Sequence, residues 1–369
     1  MKFHTPPPLE KNHDECMLKP WPCKPRKKSF LTSTNTVLDL PNFNYSRYPE
    51  LLDWSSHGTL VAARGRKYYK WSWDKESLVG RGHTSHNIQT CKFSPNGYIL
   101  ALGMEFNIIE IHDCEMNKYL MHQKCSCRNS GYYCSITTMD WSPKSNGLIV
   151  VVTSFDNSME VISSLKWSNA QIQDTISSVR MSPDARFAAI TIKHSTNIFV
   201  VEWPSLQKYK KFHFEGSFTT AISWHPWGSA LLGRGGFSFI NETSNVTMCS
   251  VLNGNVEATL LPGKYDIDGM LFSSKTGELV MSLYGLERGS LYPKKSSRLV
   301  VLSNMTTIVD QWSDDSRNGL NRLVSMIFSP DGTKLATATL DEDLVFWNFL
   351  PETKEKTKLS KFVSSSILR

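Results

Sequence analysis

Residues 327–349 read IFSPDGTKLATATLDEDLVFWNF, and this stretch decides the fold. An apolar run meets a Ser-Pro-Asp-Gly turn, a second apolar run follows, and an acidic turn leads into a third. The runs are short, β-branched or aromatic, and punctuated by turn residues, which is strand chemistry. The same phrase recurs upstream as DWSSHG, KFSPNG, DWSPKS, RMSPDA, SWHPWG and LFSSKT. Its markers are Ser55, Ser94, Ser142, Ser182, His225, Ser273 and Ser329, spaced by 39, 48, 40, 43, 48 and 56 residues. A period of forty-odd residues with roughly four strands per unit indicates a β-propeller. The expected fold is all-β, a seven-bladed WD-repeat propeller over residues 37–350.

A ring has to close. After LVFWNF the last unit lacks a fourth strand, and TVLDL, before the first unit, is a spare one. Val37–Leu40 is therefore expected to complete the seventh blade and remove two open sheet edges. No segment of helical period competes, so barrels and doubly wound sheets, which need helices between strands, are excluded. Asp341 in LDEDLVFW and Asp156 in SFDNSMEV fall in turns between second and third strands and read as structural.

The chain has 369 residues, is 40% hydrophobic and 20% charged, and has no apolar run long enough for a transmembrane helix, so a soluble intracellular protein of cytoplasm or nucleus is expected. The net charge of +7 does not spread over the fold. Residues 1–36 carry +4 and residues 351–369 carry +3, leaving the middle near neutral. Two flexible basic tails are expected, and no nucleic-acid or membrane partner. Cys125, Cys127 and Cys134, near His122, lack the paired spacing of zinc modules and read as free thiols. No cofactor is indicated. Neither G-x-S-x-G, H-E-x-x-H nor a P-loop is present, and GRGG at 233–236 lacks a following helix. A rigid disk that binds partners is favoured over an enzyme.

One region narrows this further. VLDLPNFNYSRYPELLDWSSHGTLVAA resembles the start of the propeller in the fizzy family, the coactivators of the anaphase-promoting complex. SWHPWGSALLGRGG, GLNRLVSMIFSPDGTKLATATLDEDLVFW and the ending ILR resemble family segments in the same order. The divergence and the short N-terminal region resemble its fast-changing insect branch. The resemblance implies a non-catalytic adaptor that presents degron-bearing substrates such as cyclins to a ubiquitin ligase during the cell cycle, with meiosis as one setting. The alternative is a WD-repeat scaffold that no longer binds the ligase.

Carried over residue by residue, the resemblance assigns the destruction-box arginine to Asp53 and Glu342. It leaves Arg322 from a KEN-type site, where Lys193, His194 and Arg234 add positive charge and argue against recognition of a lysine-bearing degron. KPWPCK supplies Lys19, Trp21, Pro22 and Lys24 as a degenerate C-box for ligase binding. Ile367, Leu368 and Arg369 resemble the family's Ile-Arg tail, which docks on a TPR subunit. An aliphatic side chain for an apolar pocket and a guanidinium for a carboxylate suit that contact.

Overall fold

The computed structural model describes residues 21–31, 34–40, 50–106, 108–116, 118–124, 135–143, 147–153, 158–163, 166–171, 176–228, 230–261, 265–287, 294–313 and 322–351. These residues form seven antiparallel four-stranded sheets. Six are continuous in sequence, as blades 1 to 6, covering residues 52–83, 88–124, 135–171, 176–213, 217–260 and 265–313. Blade 7 takes three strands from residues 323–348 and its fourth, Thr34–Asp39, from the N-terminal side. Val37 pairs with Val345 and Asp39 with Asp343, so the TVLDL stretch is the closing strand. The innermost strands pack on one another in cyclic order, and the last returns to the first.

Middle strands lie between neighbouring blades and bury both faces. Phe187–Ile192 (FAAITI) and Lys334–Thr339 (KLATAT) are buried at every position. Small residues there let adjacent sheets approach. The outermost strands bury one face only; Val256–Leu260 alternates exposed and half-buried residues.

The repeated marker is a turn device. Ser182 donates to Asp184 at 2.6 Å and accepts the Phe187 amide at 2.9 Å. Ser329 donates to Asp331 at 2.6 Å and accepts the Lys334 amide at 2.9 Å. In blade 5 His225 takes the place of serine. Its Nδ1 accepts the amides of Trp227 and Gly228 at 3.1 and 2.7 Å.

A second regularity is a bulge. In blades 2 to 7 the pairing of the innermost strand slips by one residue near its start, making Gln89, Thr137, Ser177, Thr220, Asp268 and Val324 the extra, bulged residues of the register. A bulge re-aims a side chain while adding twist. Five of these residues, from Thr137 to Val324, line a cavity of about 520 Å³ at the centre of the ring.

The expectation of a free tail through residue 36 is corrected for Trp21–Leu31. Trp21 is buried and meets Phe272 edge-on at 5.8 Å, and Leu31 is fully buried with Val280, Leu299 and Trp347. The reason is chemical: the segment carries apolar residues and an arginine whose partners are buried acids of blade 6.

Candidate functional site

The two carboxylates expected to share one guanidinium occupy different environments. Asp53 lies in the innermost strand Leu52–Trp54, is buried, and accepts the Phe93 amide of blade 2 at 2.6 Å. Lys92 stands 4.0 Å away. Burial pushes the Asp53 carboxyl above its ordinary value despite Lys92 and the amide bonds. The role recurs: Asp140 accepts the Met181 amide at 2.7 Å, and Ser223 accepts that of Phe272 at 3.2 Å. Asp53 thus joins blade 1 to blade 2, and its expected role in holding a substrate arginine is corrected on that ground.

Glu342 is placed differently. It sits in the turn before Asp343–Asn348 with φ +70, and its carbonyl accepts the Leu40 amide at 2.7 Å. The closing strand thereby brings Asp39 beside Asp343. Asp39, Asp341, Glu342 and Asp343 crowd one corner of blade 7, where Asp39 and Asp341 are exposed. Burial, followed by the charges of Asp39 and Asp341, holds the Asp343 carboxyl above its ordinary value. Such a corner attracts a cation, and a guanidinium can bond two carboxylates at once.

The central cavity carries the residues assigned to the KEN-type site. Arg322 donates to both oxygens of Asp268, at 2.7 and 2.5 Å, and lies 3.7 Å from Asp266. Its guanidinium also stands over the Tyr284 ring at 4.9 Å. Burial keeps the Asp268 carboxyl above its ordinary value, with the bonds from Arg322 opposing. Arg322 is therefore engaged within the ring wall. Lys193 and His194 are exposed at the cavity mouth. Arg234 does not join them, which corrects the charge expected there. It is 1% exposed and donates to Thr219, Asn245 and Ser217, with its guanidinium 3.9 Å from the Phe214 ring. Burial lowers its pKa to about 10. Across the cavity, Glu50 accepts Arg180 at 2.5 Å and Thr138 at 2.9 Å. Burial alone would raise the Glu50 carboxyl, but Arg180 and Lys92 hold it below its ordinary value.

The residues assigned to ligase binding divide. Trp21 is buried under the ring, and the Pro22 carbonyl accepts from His225 Nε2 at 2.8 Å. Lys24 is exposed with its ammonium 5.6 Å from the Trp227 ring, while its amide donates to Thr276 at 2.7 Å. Trp21 is thus unavailable to a partner while docked, which corrects its expected role in this state. Lys19, Ile367, Leu368, Arg369, Asp156 and the cysteines at 125, 127 and 134 lie outside the described residues. Sequence reasoning missed Arg26, Glu278 and Asp310. The available signal was His225, the one marker that is not serine.

No family model matches the chain. A protein cortex from Heliconius melpomene is 45% identical over 351 residues, covering 93% of this chain and 77% of that protein. The chain belongs to the Cortex branch of the fizzy family. A second protein cortex, from Biston betularia, is 41% identical over 91% of this chain and 75% of its own length. More distant relatives of this Cortex-type chain include a cell division cycle 20.5 protein of Arabidopsis thaliana, described as a cofactor of the APC complex, at 23% identity over 95% of the chain and 75% of that protein. Among solved structures, a chain from a crystal structure of a mitotic checkpoint complex superimposes with a TM-score of 0.67 at 18% identity, covering 93% of this chain and 99% of that one. That likeness establishes the WD-repeat propeller fold.

Proposed function

We propose that this Cortex-type propeller is a non-catalytic, substrate-recognition coactivator of the anaphase-promoting complex. In this reading it captures destruction-box degrons and controls protein degradation in the cell cycle, with meiosis as one setting. The observation that carries the reading is the acidic corner of blade 7. Family membership supplies the partner class, and the corner supplies a chemically suitable seat for a degron arginine. Glu342 holds that arginine, and Asp39, Asp341 and Asp343 replace Asp53 as the second anion. Lys19, Lys24 and Ile367-Leu368-Arg369 contact the ligase, the last on a TPR subunit; two weak anchors on one chain reinforce each other through effective concentration.

One observation favours the alternative of a scaffold without ligase binding: Trp21 of the C-box-like stretch is docked under the ring. Affinity purification from cells separates the readings. Deleting both tails is not a clean comparison, because residues 21–31 hold blades together. Paired substitutions are cleaner. Full chain is expected to recover ligase subunits, and Leu368→Ala with Arg369→Ala is expected to lose most of them while keeping the melting temperature. Equal recovery from both proteins sinks the tail assignment, and no recovery from either favours the scaffold.

A further inference from the structure

The docked segment contains Arg26-Lys27-Lys28-Ser29-Phe30. Lys27, Lys28 and Ser29 are exposed, whereas the Arg26 side chain is 1% exposed. One carboxylate gathers most of this stretch. Asp310 accepts the amides of Phe30 and Leu31 at 2.8 and 3.2 Å, and Arg26 at 3.1 Å. Its other oxygen accepts the Ser29 hydroxyl. Glu278 accepts the Arg26 guanidinium through both oxygens, Nε at 3.2 Å on Oε1 and Nη2 at 2.6 Å on Oε2. Two buried carboxylates therefore face one guanidinium, and the serine proton is what allows a further oxygen beside Asp310.

A phosphate at Ser29 reverses that contact. It carries roughly −1.5 to −2 charge near neutral pH and offers acceptors where a donor is required. Against a carboxylate already in anionic excess, it opposes docking by repulsion and by loss of the hydroxyl bond. The flanking sequence suits such a modification independently. Three cationic residues precede the serine and an aromatic residue follows it, which fits a protein kinase with an acidic substrate groove. While docked, Arg26 is turned into the protein, so such a kinase reads only the undocked segment.

We infer that Ser29 is a phosphorylation site that releases Trp21–Leu31 from blades 5 to 7. The Ser29 oxygen attacks the γ-phosphorus of a nucleoside triphosphate. The new O–P bond replaces the bond to the bridging oxygen, the nucleoside diphosphate leaves, and the hydroxyl proton passes to the kinase's base. The phosphate keeps the segment from returning and exposes Trp21 and the channel it filled beside Phe272. This inference does not depend on ligase binding.

The experiment uses the full chain, a purified basophilic kinase and magnesium nucleoside triphosphate, with mass spectrometry for the site and hydrogen exchange for docking. Phosphate on Ser29 is expected to speed exchange at the Lys24, Phe30 and Leu31 amides about tenfold or more, while residues 334–339 stay protected. Ser29→Glu is expected to move the same amides, and Ser29→Ala to leave them slow. Gly277→Ala supplies the access control, because a Cβ there meets the Pro22 carbonyl at 2.5 Å and the Trp227 ring at 3.0 Å and strains a turn at φ +71, which loosens the segment while leaving Arg26 and Ser29 in the sequence. That variant is expected to be phosphorylated faster at Ser29. Phosphorylated Ser29 with unchanged exchange overturns the release, and an unmodified Ser29 in the Gly277→Ala protein overturns the site.

Discussion

Blades 1 to 4 and blades 5 to 7 are joined by different means. On the first side, residues of the repeat reach a neighbouring blade. Asp53 accepts the Phe93 amide, Asp140 accepts the Met181 amide, and Trp141 donates its indole N–H to the Lys92 carbonyl at 3.2 Å. On the second side, Ser223 makes the longer bond to Phe272, and a segment from outside the repeat does much of the joining. Arg26 alone links Glu278 and Asp310 of blade 6 to the Phe349 carbonyl at the end of blade 7, at 3.0 Å for the last. His225 of blade 5 holds the same segment through Pro22. Where the repeat's carboxylate is replaced by a hydroxyl, cohesion has moved into a non-repeated strap. A strap can be modified or displaced without dismantling a strand, whereas an inter-blade Asp cannot.

The largest expected effect comes from the strap. Arg26→Met leaves Glu278 and Asp310 buried without their cation and is expected to cost about 3–5 kcal/mol, read from the denaturant midpoint. A loss under about 1 kcal/mol would make the strap a passive covering. Asp53→Ala is next. It orphans the Phe93 amide and removes the counter-charge near Lys92, with an expected cost of about 1–3 kcal/mol. Stability equal to the parent protein would return Asp53 to the binding role. The smallest effect is a pH response confined to the strap. Burial lowers the His225 pKa, although its bond to the Pro22 carbonyl opposes this. The folded protein thus holds the neutral ring. Its contribution is full above the ordinary histidine value and is lost as pH falls from there through the lower folded value. Hydrogen exchange, corrected for its intrinsic pH dependence, is expected to rise at the Lys24 amide across that window. His225→Asn should abolish the rise, and a rise that persists in this variant removes His225 from the account.

The repeat was legible because its turn chemistry is local: Ser182 with Asp184 and Ser329 with Asp331 lie two residues apart. The closing strand was legible because ring closure is a topological demand. The strap was not, since Arg26 and Glu278 are 252 residues apart and no local pattern connects them. Arg234 misled for a related reason. A charged residue in a strand reads as exposed, but Ser217, Thr219 and Asn245 of its own blade satisfy it. Asp53 was assigned by resemblance to a substrate arginine, yet its partner is an amide 40 residues away. The acidic turn that carries Glu342 was legible because its left-handed backbone is local.

Titration of a destruction-box peptide, and of its Arg→Ala counterpart, into the full chain tests the proposed function most directly. Glu342→Ala is expected to weaken the first peptide by about 1.5–3 kcal/mol and to leave the second unchanged. Asp53→Asn is expected to lower stability while the folded protein keeps its peptide affinity. Binding to the acidic corner is expected to weaken as pH falls into the carboxylate range, beginning above the ordinary aspartate value because the Asp343 carboxyl is raised. Parental affinity in Glu342→Ala, or loss of affinity in a folded Asp53→Asn protein, would contradict the assignment of the degron arginine to the corner of blade 7.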